Sequence, residues 1–176
     1  MIGLSASQKV QNMQALEQLS GIQRRHIGLM QNTLKLWQNV LADVTQEEAT
    51  TYRDGPDGWT TLEVLCHVRD FDVFFMGRAQ MMIEQDHPQL PAYDHEALAI
   101  ERRYNEQDLQ TVLAELAAVR RTFIRFYLKL DEEQWQRTGI HPERGFFTMT
   151  DSVMQVGHHD VNHLEQVTRI LKQAKG

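Results

Sequence analysis

His159 and His163 stand four residues apart in the run His158-His159-Asp160-Val161-Asn162-His163. On an α-helix that spacing puts both imidazoles on one face with Cβ atoms about 5 to 6 Å apart, close enough to share one divalent ion. The same face carries Val156, Val167 and Ile170, so the pair lies on a stripe that enters a core. Buried imidazoles need partners, either hydrogen bonds or a metal, and two neighbouring ones satisfy each other poorly. His158, rotated about 100° from His159, falls toward solvent and is set aside as a ligand. A third ligand has to come from another helix. His67 is the best placed, in the middle of an apolar segment with Val64, Phe71 and Phe74 around it.

Three neutral nitrogens with open coordination positions are the arrangement of a catalytic rather than a structural zinc. Such an ion lowers the pKa of bound water to about 7 or binds a thiol as thiolate. Asp70, one turn after His67, and Gln166, three residues after His163, are candidates for orienting a ligand or handling a proton. Taken singly, each reads first as an ordinary polar residue of a helix surface. Competing schemes fit less well. Asp160 occupies the position where a zincin has Glu, Glu84 to His87 is the only Glu-x-x-His and ends at Pro88, and there is neither a Gly-rich phosphate loop nor a Gly-x-Ser-x-Gly elbow. Cys66, about 100° from His67, reads as a small buried residue and not a nucleophile.

The elements that must position these residues are helices. Gly and Pro are scarce, at 10 and 4 of 176 residues, and the prolines (Pro56, Pro88, Pro91, Pro142) divide the chain into four long segments. Ile27, Met30, Leu34, Trp37, Leu41 and Val44 recur at helical spacing in the first, and Leu109, Val112, Leu116, Val119, Phe123, Tyr127 and Leu130 in the third. The second, residues 62–84, is apolar over a wider face, and the fourth sets Val153, Val156, Val167, Ile170 and Leu171 around the histidines. Thr60 with Glu63 and Thr148 with Asp151 have capping-box spacing; Thr45 with Glu48 and Asp131 with Gln134 mark short turns, and Asn105 with Asp108 is a weaker start signal. No stretch alternates long enough to predict a strand. The expected architecture is all-α: one domain over residues 1–176, a four-helix bundle, with residues 1–20 a separate N-terminal helical segment broken off at Ser20 and Gly21.

Composition bounds the partners. With 18 Lys and Arg against 24 Asp and Glu, the net charge of -6 is the wrong sign for binding nucleic acid or anionic lipid. A single cysteine excludes an intrachain disulfide, and the absence of a signal-like or long apolar stretch leads to the expectation of a cytoplasmic protein.

Three pieces in order carry a family likeness. Gly-Trp-Thr-Thr-Leu-Glu-Val-Leu-Cys-His-Val-Arg-Asp (58–70), a His-Pro-Glu-x-Gly turn (141–145), and Thr-Met-Thr-Asp with His-His-Asp-Val-Asn-His-Leu-Glu-Gln (148–166) together resemble the DinB/YfiT-like superfamily of metal-dependent enzymes, over roughly residues 21–172. The resemblance implies a four-helix bundle and a divalent metal, zinc or nickel foremost, held by three histidines. By position these are His67, His159 and His163. Characterised branches include transferases and isomerases that use low-molecular-weight thiols such as bacillithiol, mycothiol or glutathione. The resemblance therefore implies a small-molecule substrate and thiol transfer, with hydrolysis close behind, and leaves a homodimer open. A non-catalytic, stress-related metal-binding or interaction protein is the alternative, since it needs the same ligands.

Overall fold

The computed structural model describes Ser5, Ser7, Gln11, Gln14 and residues 19–174. The expected N-terminal segment over residues 1–20 lies largely outside that set. Four long helices form the bundle: α1 (Gly21–Val40), α3 (Thr61–Glu84), α5 (Leu109–Leu128) and α7 (Met149–Gln173). Short helices α2 (Gln46–Thr51), α4 (His95–Glu101) and α6 (Glu132–Trp135) fill the connections, with a 3-10 turn at Tyr104–Glu106.

The starts follow from local chemistry. Ser20, Thr45, Thr60, Asp131 and Thr148 each accept a backbone N–H from the residue three places on, whose side chain reaches back to the cap. Ser20 thus begins α1, which is why the chain breaks there. At α5 the signal shifts by three residues: Asp108 is the cap, and Asn105 sits in the 3-10 turn, where its Oδ1 accepts the Thr60 hydroxyl at 2.6 Å. The predicted stripes are buried. Ile27, Met30, Trp37 and Leu41 of the first, Leu116, Phe123 and Tyr127 of the third, and Val153, Val167 and Ile170 of the fourth lose essentially all exposure.

The packing is not that of a simple up-and-down bundle. α1 lies against α7 and α5, and α3 against α5 and α7, so consecutive long helices α1 and α3, and α5 and α7, stand across the diagonals. Two helices remote in sequence, α3 and α7, thereby become neighbours, and His67 can face His159 and His163. Gly157 allows α7 to approach α1 closely: a Cβ there would lie 2.5 Å from Leu29 Cδ2.

Two strands depart from the all-helical expectation. β1 (Thr138–His141) pairs antiparallel with β2 (Gly145–Thr148), joined by the His-Pro-Glu-x-Gly turn with Gly145 at φ +70°. Four residues each are too few to show an alternation in sequence, and the pair is held from outside. Leu90 donates its N–H to Ile140 O and Ile140 its N–H to Pro88 O, fastening the hairpin to the segment that follows α3. Among the described residues no helix is long and apolar enough to cross a membrane.

Candidate metal centre

His67 projects from the second turn of α3, while His159 and His163 project from one face of α7, and the three rings converge. Their centroids are 4.9 Å apart for His67 and His159, 4.8 Å for His67 and His163, and 4.4 Å for His159 and His163. One ring nitrogen from each falls within 4.8 Å of the other two. Nε2 of His67 and Nε2 of His159 face each other at 3.0 Å. Two nitrogens about 2.05 Å from a tetrahedral zinc stand about 3.3 Å apart, so the pair needs to spread by only a few tenths of an ångström to hold an ion.

Protonation favours the same use. Nδ1–H of His163 donates to Gln166 Oε1 at 2.8 Å, which leaves Nε2 as the unprotonated, inward-facing nitrogen. Gln166 is in turn fixed by Asp54, whose Oδ2 accepts its amide at 3.1 Å and whose carboxylate also binds Arg169. Burial, then the neighbouring rings His163 and His95, drive the His67 pKa down to about 3. The same desolvation, with His163 and His67 beside it, puts His159 well below its ordinary value, and His163 is lowered too. All three are neutral donors at pH 7.

This depression has a measurable consequence. Below pH about 6.5 the unfolded chain takes up protons at these histidines that the folded chain refuses. Stability that is complete above that pH is therefore lost as pH falls toward the folded-state values. The Tm of the metal-free protein is expected to drop between pH 7.5 and pH 5, and less steeply in His67→Ala; an unchanged slope in that variant contradicts the assignment.

Gln166 sits where the sequence placed it, against a histidine. Asp70 does not. Its Oδ1 accepts Arg69 Nε at 2.9 Å and its Oδ2 accepts Arg102 Nη1 at 2.7 Å and the Tyr104 hydroxyl at 2.6 Å, so its lone pairs are committed to a brace between α3 and the loop after α4. His67 Nδ1 is buried without a hydrogen-bond partner. His158 is exposed, as its rotation requires.

Cys66 lies under Tyr104, its thiol directed to the Tyr104 carbonyl at 3.7 Å, and burial pushes its pKa up to about 12. A thiol that stays protonated and covered does not react. The native protein is expected to resist a thiol-labelling reagent at pH 8, releasing one equivalent only on denaturation; rapid labelling of the folded protein would refute this placement.

The histidines form the floor of a cleft of about 510 Å³. Several lining residues are not singled out by the sequence as site residues: Trp59 and His141, which stand only as members of the quoted family pieces, and His95, Gln155 and Arg78; the Trp59 indole N–H donates to Glu96 Oε2 at 3.1 Å. Phe71, read as core, is a half-buried wall that stacks on His159 at 5.2 Å and 11°. Trp59 and His95 both pack edge-on near His67, at 4.9 and 5.7 Å.

The sequence signature of the DinB superfamily matches residues 28–167, a stretch that takes in most of each of the four long helices and all three histidines. The chain belongs to the DinB superfamily. Two relatives from Oceanobacillus iheyensis, each named "Putative metal-dependent hydrolase", are 24% identical over 144 residues (82% of both chains) and 26% identical over 140 residues (79% of this chain, 80% of the other). The fold is that of YfiT from Bacillus subtilis, described as a probable metal-dependent hydrolase with an unusual four-helix bundle topology: TM-score 0.78, 19% identity, 99% of this chain and 92% of that one. The diagonal order of helices in this chain sets it apart from the simple up-and-down bundles. A mycothiol-dependent maleylpyruvate isomerase has the same fold over 86% of this chain and 62% of its own, with a TM-score of 0.70 at 9% identity.

Proposed function

We propose that this DinB-superfamily chain is a metal-dependent enzyme in which His67, His159 and His163 hold one divalent transition metal, zinc or nickel, for reaction with a small molecule. The observation that carries this reading is the convergence of three neutral imidazole nitrogens on the floor of an open cleft. A purely structural ion would be closed over by a fourth protein ligand. When bound, the metal supplies a nucleophile at neutral pH by lowering the pKa of a coordinated water or thiol.

Transfer of a low-molecular-weight thiol to an electrophile is the preferred reaction. Among the described residues no carboxylate hydrogen-bonds to the three rings, and one acid that lines the cleft, Glu96, accepts the Trp59 indole N–H. A water attack gains from such a base and a neighbouring acid for the leaving group. A thiol that ionises on coordination needs neither. The mycothiol dependence of the isomerase with this fold supports the same choice. Hydrolysis is the second reading, favoured by the names of the relatives. The protein's own groups bind and orient: Gln166 holds the His163 ring, Phe71 and Trp59 exclude water from the floor, and Cys66 takes no part.

The test is turnover by zinc-, nickel- or manganese-loaded protein. A chlorinated nitroarene or a bimane reagent is offered with a panel of small thiols, beside simple esters and amides. A thiol-dependent rate that His163→Ala loses and Cys66→Ala keeps is the expected result. Ester or amide cleavage instead selects hydrolysis, and silence in both assays favours a metal-binding role without catalysis.

A further inference from the structure

Arg78 is a buried guanidinium that, among the described residues, makes no direct ion pair with a carboxylate. It is 5% exposed, yet its hydrogen bonds go to neutral acceptors: Nε and Nη2 donate to the Pro91 carbonyl at 3.1 and 2.6 Å, and Nη1 to His141 Nε2 at 3.1 Å. Its third neighbour is the face of Tyr93, 5.1 Å from the ring centre. The protein's other deeply buried arginine, Arg120, is paired with two carboxylates. Burying a charge without a counter-ion is costly, so a guanidinium buried on neutral acceptors beside an open cleft is a site that an anion would stabilise.

The position of Arg78 says which ligand. It is eleven residues after His67 on α3, which is three turns and about 20° of rotation, so it shares the face of His67 and Phe71 about 16 Å further along the axis. All three line the same cleft, with Phe75 and Tyr93 as apolar wall between its ends. Of the five guanidinium N–H groups three are used, leaving one on each terminal nitrogen to donate to a further acceptor. His141 cannot take the role of counter-ion. Its Nε2 accepts from Arg78, and burial with Arg78 and Arg144 nearby lowers its pKa, so it stays neutral. Arg144, exposed on the hairpin turn, lines the cleft at the same end as His141. Glu143 beside it lies within electrostatic range of Arg78 and His141, but it is exposed, screened by solvent and not in salt-bridge contact with the buried guanidinium.

We propose that this end of the cleft, Arg78 on its Pro91 and His141 supports together with Arg144, is a subsite for a carboxylate on the substrate, held several ångströms of apolar wall away from the histidine cluster. The substrate class is an elongated small molecule with a reactive group at one end and a carboxylate at the other. The inference adds a substrate to the proposed metal enzyme and rests on that reading only for where the chemistry occurs.

The experiment separates the two. Binding of 3-phenylpropionate and of its amide, 3-phenylpropionamide, is followed by chemical-shift titration in zinc-loaded and metal-free protein at pH 7.5. The acid is expected to bind at least tenfold tighter than the amide in both forms, and His163→Ala is expected to keep that preference, because the arginines and not the ion create it. Arg78→Met should bring acid and amide within about twofold of each other, and Arg144→Gln, on an exposed turn that leaves the fold intact, should reduce the preference at least threefold. Equal binding of acid and amide by the metal-free wild type, absence of acid binding, or a preference that survives in both arginine variants overturns the subsite. Failure to bind zinc while the preference persists overturns the metal reading and leaves the subsite standing.

Discussion

Alanine at His67, His159 or His163 is expected to lower zinc affinity by more than ~100-fold in each case, the largest single effect on this site. Loss of an outer-shell partner alone costs 10- to 100-fold, and each of these changes removes one of three nitrogen donors. Tag-free wild type should carry about one zinc or nickel per chain. The controls are chosen from the geometry. His158 is exposed and turned away, His26 pairs with it at a centroid distance of 5.6 Å on the far side of α7, and His95 is an exposed residue at the mouth that does not join the converging nitrogens. Alanine at any of these three should leave the metal in place. Gln166→Ala should fall between, weakening binding by about 10- to 100-fold through the freed His163 ring. Metal content by mass spectrometry and competition with a chelator measure both series, and a His67→Ala protein that retains tightly bound metal would move the third ligand elsewhere.

The histidines were legible because helix periodicity is a local property. Four residues separate His159 from His163, and the apolar neighbours Val156 and Val167 mark their face as inward. Their partner on α3 was legible only as the one histidine in an apolar segment, since the diagonal helix order that brings α3 beside α7 is written in no local pattern. The far end of the cleft was illegible for the same reason. Arg78, Pro91 and His141 meet through a hairpin of four-residue strands, and nothing in the sequence pairs positions 78 and 141. Asp70 misled because one turn of separation puts a residue on the right face but does not reserve its lone pairs, which Arg69, Arg102 and Tyr104 take.

The sequence also places three charged residues among apolar ones. Asp160 falls between Val156, Leu164 and Val167; Arg120 between Leu116, Phe123 and Tyr127; Asp72 between Val68, Phe75 and Ala79. Each is a charge at a core position of its helix, and charges at core positions of three helices imply that they meet.

They do meet, and Arg120→Ala is expected to destabilise the protein by about 3 to 5 kcal/mol, lowering Tm by roughly 6 to 20 °C for a chain of this size. The Arg120 guanidinium is fully buried and spends every donor. Nε and Nη2 bind Asp72 at 2.6 and 2.9 Å, Nη1 and Nη2 bind Asp160 at 2.5 and 2.9 Å, and Nη1 also reaches the Met30 carbonyl and the Thr33 hydroxyl, both at 3.2 Å. Asp160 further accepts from the Thr33 hydroxyl and from the Trp37 indole. One side chain of α5 thus ties together α3, α7 and α1. Truncation leaves two carboxylates facing each other without a cation, and burial already pushes the Asp72 pKa upward with Arg120 in place. The loss should therefore be partly recovered in Arg120→Ala as pH is lowered from 7 to 5, when protonation relieves the repulsion. Replacing all three, with Arg120→Met, Asp72→Leu and Asp160→Leu, should restore most of the stability, since an apolar core of similar volume competes well with a buried ion network. The metal separates stability from position. Asp160 follows His159 directly, and the network fixes the rotation of α7 that aims His159 and His163 at α3. The triple variant is expected to regain its Tm while binding zinc at least tenfold more weakly than the wild type; full recovery of both would make the network a matter of stability alone.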